Sequence, residues 1–444
     1  MEKEWSELTP EEKREKRFRN WLNPEDINFE SPDAEAAYRE KVKRLIAAIK
    51  LEEPDRVPVV YSPGYFPAFY SGYTVKEVMY DSEKFIRSWF KYMDDFDPDV
   101  LPNASLMRSG EAMEIVGTKM SKWAGHGLPD IAAPQYVEIE FLKSDEWDHF
   151  LEDRSDFNLR VMLPRSYEAA EPFAKLPPLS MLGGFGGAGG LGAFAEPDVQ
   201  AGFQTFARAG KVEREWHKEI MTIENRGLSM GLPNFFKFEI AAGAPLDAIG
   251  AGLRGTKGTV MDMFQQPERI LSYMEKQVEM VTGFVSMMDN RSGTPVRFMP
   301  LHRGADGFMS EEQFNTFYWP YLKRVVEVYI NEGLVPLLFA EGRYNSRLEI
   351  IQDLPKGGVI WYFDQTDLAR AKEILGDRAC IMGNVPTSLI VTGGAGDVKD
   401  YCKNLISVAG KGGGYILSPG ATSDEAKADN LKAMHEAARE YGRY

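Results

Sequence analysis

Five short apolar runs between Pro295 and Gly420 each end on a residue with a chemically useful side chain. The runs read PVRFMPLHRG, VPLLFAEG, GVIWYFDQT, ACIMGNVP and GGYILSPGA, and they end at His302, Glu341, Asp364, Asn384 and Ser418. Segments with helical periodicity separate them, which is the pattern of strand, polar end and helix, repeated. Because the carboxyl ends of parallel strands meet on one side, this pattern predicts an active site built from those ends.

The remaining chain shows the same alternation less clearly. An amphipathic helix is predicted over residues 35–52, followed by a first strand in RVPVVYSPGY that ends near Tyr61. From Gly231, a strand, a turn and the start of a helix are predicted, and a further helix over residues 267–289 begins with a proline. Three more helices are predicted in SEEQFNTFYWPYLKRVVEVYINEG, DLARAKEILGD and SDEAKADNLKAMHEAAREYG, each opened by Ser or Asp. Such alternation predicts an α/β fold with a parallel sheet.

The pattern also predicts the domain organisation. Residues 1–40 are charged and predict a helical N-terminal extension that contacts another subunit or covers part of a barrel over residues 41–444. An insertion at about 105–230 lacks regular alternation and contains the glycine-rich run from Gly183 to Gly192. That run has no P-loop or Rossmann ending, so a lid or packing loop is favoured over a phosphate site.

Composition narrows the class of function. The 444 residues are 43% hydrophobic and carry a net charge of -15, which disfavours nucleic acid and anionic membranes as partners. Two cysteines, Cys380 and Cys402, are too few for a disulfide framework and fit a cytoplasmic protein. The N-terminus lacks a secretory signal, and no apolar run is long enough to span a bilayer.

The C-terminal motifs resemble a known superfamily. The segments GNVPTSLIVTGGAGDVKDYCKNLI and GGGYILSPGATSDEAKADNLKAMHEAAREYG are similar to those of the uroporphyrinogen decarboxylase superfamily, which includes corrinoid-dependent methyltransferases. The resemblance covers roughly residues 231–444 and is weaker upstream. It implies a (β/α)8 TIM barrel of the uroporphyrinogen decarboxylase type, with a tetrapyrrole or a methyl-group substrate bound at the strand ends.

Two departures from the family pattern shape the functional expectation. Where thiol-activating methyltransferases of the family hold zinc with a His-x-Cys pair and a later Cys, this chain has Phe339, Glu341 and Ala421. Where true decarboxylases carry arginines after the first strand and a His at the last strand end, it has SPGYFPAFYSG and again Ala421. The resemblance then implies a methyltransferase that moves a methyl group from a small, methoxylated aromatic donor to a corrinoid (cobalamin) on a partner protein.

The expected chemistry assigns roles to the strand ends. Breaking a methyl ether requires the oxygen to be protonated or bound to a Lewis-acidic metal, and His302, Glu341 and Asp364 are the candidates for either route. As one nitrogen and two oxygen ligands, they would suit zinc or another divalent metal. The candidate substrate-binding residues are Tyr61, Lys237, Glu239, Arg303, Arg343, Tyr344 and Asn384.

Each candidate also has a structural interpretation that stays open at this point. His302 would brace its loop through Asp306, Glu341 would pair with Arg343 or Arg347, and Asp364 would cap a helix that starts at Thr366 or Asp367. His435, on the final helix, is expected at the solvated surface. Two other functions also stay open: a lyase that clamps a different carboxylated substrate with Arg303 or Arg343, and a corrinoid- or tetrapyrrole-binding protein without turnover. A homo-oligomer is an open alternative to a monomer.

Overall fold

The computed structural model describes residues 3–101, 103–182, 188–238, 243–288 and 293–444. Its strands are β1 (Ser121–Ala124), β2 (Gly127–Leu128), β3 (Gln135–Tyr136), β4 (Lys237–Phe238), β5 (Val296–Leu301), β6 (Val335–Ala340), β7 (Ile360–Phe363), β8 (Cys380–Val385) and β9 (Tyr415–Pro419). Strands β4 to β9 form a parallel sheet in sequence order, and β2, β1 and β3 form a separate small sheet.

The α-helices of the described residues are α1 (Pro10–Leu22), α2 (Pro32–Ile49), α3 (Phe66–Tyr70), α4 (Val75–Tyr80), α5 (Ser82–Phe96), α6 (Gly110–Val116), α7 (Trp147–Glu152), α8 (Arg154–Phe157), α9 (Leu163–Ser166), α10 (Pro197–Ser229), α11 (Pro245–Gly252), α12 (Gly255–Gln265), α13 (Pro267–Ser286), α14 (Glu311–Gln313), α15 (Trp319–Asn331), α16 (Leu368–Leu375), α17 (Thr387–Thr392), α18 (Ala395–Leu405) and α19 (Ala428–Tyr441). None of them combines the length and the apolar character that a membrane crossing requires.

The parallel sheet has two apolar faces because side chains alternate along each strand. One face, here called the inner face, packs into one cluster with α1 and α2, and its residues are Val296, Phe298, Val335, Leu337, Phe339, Ile360, Tyr362, Cys380, Met382 and Ile416. The opposite face contributes to the larger cluster that contains the buried residues of α13, α15, α16, α18 and α19. Burial on both faces explains why the strands read as nearly continuous apolar runs.

The N-terminal helices lie against the amino-terminal ends of the strands. Lys13 of α1 forms an ion pair of 2.7 Å with Glu332, which lies just before β6. Arg14 donates to the Gly357 carbonyl oxygen, before β7, at 2.6 Å. Trp21 is fully buried in the cluster of the inner face. The N-terminal helices therefore cover the sheet at its amino-terminal edge. Covering of this kind was one of the two roles expected from the sequence, the other being contact with another subunit.

Both edges of the parallel sheet are extended by single bridges. Val59 pairs in parallel with Leu417 of β9, and Leu101 pairs in parallel with Asn234, just before β4. The backbone N–H of Val59 donates to Asp99 Oδ2 at 2.8 Å, so the two edge segments also touch each other. The predicted first strand in RVPVVYSPGY is therefore reduced to two isolated bridges, one at Val59 and one between Arg56 and Arg443. Its short length follows from Pro58 and Pro63, which cannot donate to a ladder.

Several predicted boundaries differ from the structure. The predicted boundary at residue 40 falls inside α2, and the division into domains stays a prediction. The final helix starts at Ala428 and not at Ser423, because residues 423–427 form a loop. The insertion at about 105–230 contains ordered elements, including the 33-residue helix α10. Part of the glycine-rich run, residues 183–187, lies outside the described residues.

Candidate active site

The predicted strand-end residues share one orientation. In the sheet register, Pro300 of β5 pairs with Phe339 of β6, and Phe339 pairs with Tyr362 of β7. His302, Glu341 and Asp364 each lie two residues beyond these three, and two residues is the repeat of a strand. Their side chains therefore continue the inner face at its carboxyl end.

His302 and Glu341 form a hydrogen-bonded pair. His302 Nδ1 lies 2.7 Å from Glu341 Oε2, and the two side chains are 39% and 42% exposed. The hydrogen bond to the Glu341 carboxylate raises the pKa of His302 above its ordinary value of 6.5, and burial opposes this shift. The predicted alternatives of a His302–Asp306 brace and a Glu341–arginine ion pair are not the contacts observed. The pair is therefore an imidazole held by a carboxylate and open to solvent, which is an arrangement suited to proton transfer.

Asp247, at the start of α11, fixes the backbone on which His302 lies. Its buried carboxylate accepts hydrogen bonds from the backbone N–H of His302 at 3.0 Å and of Arg303 at 2.9 Å. It also accepts one from the Tyr318 hydroxyl at 2.7 Å. Burial raises the pKa of Asp247, and the nearby charge of His302 opposes that shift. Asp247 is not among the residues predicted from the sequence, although it is the one charged residue of the apolar stretch GAPLDAIGAG.

Asp364 faces its own loop instead of the His302–Glu341 pair. Its Oδ2 atom accepts hydrogen bonds from the Gly342 N–H at 3.0 Å and from Gln365 Nε2 at 3.2 Å. Burial raises the pKa of Asp364, with a smaller contribution from the negative charge of Glu341. Asp364 does not cap α16, because Asp367 does so by accepting from the N–H groups of Ala369 and Arg370.

The three residues predicted to bind a metal are not arranged as a metal site. No group of three or more His, Cys, Asp or Glu side chains in the described ranges is arranged to hold a metal ion. His302 Nδ1 is engaged with Glu341, and Asp364 is held by backbone and amide donors. These residues do not fit the expected three-ligand set, so no chemical step is assigned to a metal.

An aromatic row lies on the inner face below the strand ends. It consists of Phe236, Phe298, Phe339 and Tyr362, one from each of four neighbouring sheet segments, with successive ring centroids 5.0, 5.8 and 4.5 Å apart. The three Phe rings are only half-buried, although they lie within the sheet. Burial raises the pKa of Tyr362, and the charges of Asp364 and Glu341 add to the rise. The row is thus an accessible apolar surface directly beneath the polar side chains.

Residues 241–441 match the family model described as uroporphyrinogen decarboxylase (URO-D). This part of the chain, which is less than half of it, is similar to that family and is called the URO-D-type domain here. A solved structure, a methyltransferase from Methanosarcina mazei, is similar over 90% of this chain and 98% of its own, with a TM-score of 0.56 and 17% sequence identity. At that identity the likeness shows the fold. No curated protein sequence matches the chain. The superfamily recognised from the C-terminal motifs is therefore confirmed. The two matches also support the expectation that the chain is an enzyme.

The URO-D-type domain places the arginine and asparagine candidates differently. Arg303 is buried, donates to Thr256 Oγ1 at 3.3 Å and lies 3.8 Å from Asp247. Arg343 is exposed and makes no side-chain hydrogen bond or ion pair within the described residues. It lines a cavity of about 660 Å³ together with Asp364 and Asn384. The Asn384 amide donates to the Thr366 carbonyl oxygen at 2.7 Å, so it also fixes a loop.

None of the other candidates within the described residues forms a hydrogen bond with the His302–Glu341 pair. Tyr344, within the URO-D-type domain, is fully buried behind the His302 loop, where a Cβ on Gly304 would lie 2.5 Å from the Tyr344 hydroxyl. Tyr61, upstream of the domain, is buried, and its hydroxyl accepts from Tyr92 at 2.6 Å. Lys237 pairs with Arg297 on the face opposite the aromatic row, so the structure does not bring it to the site. Glu239 lies outside the described residues.

Two further residues of the URO-D-type domain, His435 and Asp424, lie in environments that differ from the sequence-based expectation. His435 is buried, not solvated, and burial lowers its pKa to about 4. Asp424, which was missed, accepts from the Tyr65 N–H at 2.7 Å, and burial raises its pKa. Its signal was hidden because the sequence places it inside a predicted helix. The other three histidines are exposed or half-buried: His126, His149 and His217.

Proposed function

We propose that this chain is a methyltransferase that moves a methyl group from a small methoxylated aromatic donor to a corrinoid carried by a partner protein. The observation that carries the proposal is the exposed His302–Glu341 pair at the end of the aromatic row. A planar ring on the Phe298 and Phe339 faces would bring an ether substituent to the edge where His302 lies. The six-stranded sheet with its two bridged edge segments is proposed as a (β/α)8 barrel.

The residues of the chain have one main task in this reaction. A Co(I) corrinoid supplies the nucleophile for the methyl carbon. The bond from that carbon to the ether oxygen breaks, and the oxygen keeps the bonding electrons. His302, as imidazolium, donates a proton to that oxygen and so improves the leaving group, while Glu341 stabilises the charged ring. General acid catalysis of this kind contributes about 10²–10⁴-fold to a rate.

A direct assay tests the proposal. The protein is mixed with a reduced corrinoid protein and a panel of methoxylated aromatic compounds. The visible spectrum of the corrinoid and the demethylated phenol are then followed together. We expect the phenol to form in step with the spectral change. If no donor of the panel yields a phenol, the proposal is wrong.

Two variants separate catalysis from folding. His302→Gln is expected to lower the rate by about 10²–10⁴-fold with little change in melting temperature, since the side chain is part exposed. His149→Gln is the matched control, because His149 also forms a pair with a carboxylate: its Nε2 atom lies 2.6 Å from Asp156 Oδ2. This pair is distant in sequence from His302 and Glu341. An equal loss of rate in both variants would contradict a catalytic role for His302.

A lyase acting on a carboxylated substrate is the second candidate. It is favoured by Arg343, which has no ionic partner among the described residues and lines an open cavity with Asp364. Release of CO2 in the absence of any corrinoid, lost in Arg343→Gln, would favour this function. Binding of a corrinoid that survives His302→Gln, without turnover of any substrate, would favour the non-catalytic alternative.

A further inference from the structure

A second cavity, larger than the one at Arg343, lies within the insertion. It encloses about 960 Å³ between the segment of residues 105–121, strand β3 and one side of α10. Its apolar lining includes three methionines and four aromatic residues, namely Met107, Met113, Met120, Tyr136, Tyr167, Phe206 and Trp216. A cavity of this size and lining suits an organic molecule with a hydrocarbon or aromatic body.

One cation without a bonded partner lies in this cavity. Arg108 lines it and makes no hydrogen bond or ion pair with any described residue. The Arg108 charge reaches the hydroxyls of Tyr65 and Tyr167, because it opposes the rise that burial causes in the pKa of each. Arg108 and the Tyr167 hydroxyl both line the cavity and can both donate hydrogen bonds, and a guanidinium is the donor best matched to a carboxylate.

Glu213, from α10, is the one carboxylate of the cavity lining. Partial burial raises the pKa of Glu213, and the Arg108 charge works against that rise. The two side chains are more than 4.0 Å apart, since no ion pair joins them. Glu213 therefore weakens the positive potential at Arg108 without neutralising it through contact.

Two hydrogen bonds connect the surroundings of the cavity to the URO-D-type domain. Tyr65, near Arg108, donates its backbone N–H to Asp424 in the loop after β9. On another side, Tyr136 of the lining donates its hydroxyl to the Ala251 carbonyl oxygen of α11, the helix that carries Asp247. These contacts connect the insertion and its surroundings to the loop after β9 and to α11.

We propose that this cavity binds an organic acid with an aromatic body, whose carboxylate is held by Arg108 and whose ring packs on the methionine and aromatic lining. This inference goes beyond the proposed function, because the cavity lining contains none of Phe298, Phe339 and His302, and the two sites are separate. The binding site stands on the cavity and on Arg108 alone.

Binding is tested with two probes of equal shape and different charge. Calorimetric titration of the full chain with 4-methoxybenzoate is expected to show binding, whereas neutral 4-methoxybenzamide should bind at least about tenfold more weakly. That ratio corresponds to the loss of charge-assisted hydrogen bonds. Tryptophan fluorescence should change with the acid, and Trp216→Phe should remove the change, which places the ligand beside Trp216; the Arg108 variant then assigns it to this cavity, because Arg108 does not line the neighbouring pocket on the other side of Trp216.

Three variants test the residues. Arg108→Gln should weaken binding of the acid at least about tenfold. Arg214→Gln, an exposed arginine of α10 that does not line the cavity, should leave binding unchanged. Glu213→Gln should strengthen binding, because it removes the only negative charge of the lining. Circular dichroism confirms that each variant is folded.

The outcomes separate this inference from the proposed function. Equal affinity for the acid and the amide, or unchanged binding in Arg108→Gln, would overturn the inference. Neither titration requires a corrinoid or turnover. Arg108-dependent binding without demethylation would therefore defeat only the proposed function, and demethylation without Arg108-dependent binding would defeat only the inference.

Discussion

At the scale of single residues, the His302–Glu341 pair predicts a shifted titration. Because the Glu341 carboxylate raises the pKa of His302, the imidazolium should persist above pH 6.5 in the native protein. Glu341→Gln keeps a hydrogen-bond acceptor but removes the charge, so the pKa of His302 should fall. NMR titration of labelled imidazoles measures this, since the chain has only five histidines and His302→Gln assigns the signal.

The same shift fixes the sign of a stability effect. A histidine whose native pKa is raised contributes stability that is fully present below its unfolded pKa near 6.5 and is lost as pH rises through the native value. The contribution should be small because solvent screens a side chain that is 39% exposed. A His302 signal that titrates identically in the wild type and in Glu341→Gln would contradict the assigned cause.

Asp247 predicts a larger effect on stability. Asp247→Ala leaves two backbone N–H groups and the Tyr318 hydroxyl without their buried acceptor. We expect a loss of free energy of unfolding on the order of 3 kcal/mol, measured by urea denaturation. Asp353→Ala is the control, because Asp353 forms an exposed ion pair with Lys323 that should contribute less than about 1 kcal/mol. Equal losses in the two variants would refute the role given to Asp247.

The residues that could be predicted differ physically from those that could not. His302, Glu341 and Asp364 follow apolar strands, and the two-residue repeat alone places them on one face. Which of them touch could not be predicted, since the loop geometry after each strand decides that Glu341 meets His302 and Asp364 meets Gly342. Asp247 comes from a helix start elsewhere in the chain, so no local pattern connects it to His302.

At the scale of elements, helix α10 shows where periodicity fails. Only seven of its 33 residues are buried, because its polar side faces solvent and its other side faces the insertion and the cavity. Three glycines, Gly202, Gly210 and Gly227, and scattered charges dilute the apolar stripe that a helix prediction requires. The strands from β5 to β9, buried on both faces, carry the opposite signal and were recognised from the sequence.

The N-terminal helix α1 gives a prediction at the same scale. Trp21 is fully buried against the inner face, and its indole N–H has no hydrogen-bond partner among the described residues. Trp21→Ala should therefore cost about 3–5 kcal/mol of unfolding free energy through the cavity it leaves. Trp21→Phe should cost much less, since it retains an aromatic ring and loses no hydrogen bond. If Trp21→Ala changes the free energy of unfolding only slightly, α1 contributes little to the stability of the fold and the prediction is wrong.

At the scale of the whole molecule, the α/β class and the parallel arrangement of the strands could be predicted from the sequence. The structure of the two edges of the sheet could not. The two edge segments join it by single bridges at Val59 and Leu101, and buried ion pairs hold them. Arg44 and Arg56 both pair with the buried Asp99, whose other oxygen accepts from the Val59 N–H. Such contacts join residues distant in sequence, so hydrophobic periodicity carries no trace of them.

The division of the core into clusters predicts unequal stability across the molecule. A small cluster of Ala170, Phe173, Leu176 and Val199 is separate from the two large clusters of the sheet, and much of its surroundings is 3₁₀ helix, whose hydrogen bonds are poorer. Hydrogen exchange with mass spectrometry should show residues 168–181 opening at a lower free energy than β5 to β9. Tyr167 and Phe206 join this cluster to the insertion cavity. Saturating 4-methoxybenzoate should therefore slow exchange there and leave β5 to β9 unchanged. Equal protection of both regions without ligand would contradict the prediction.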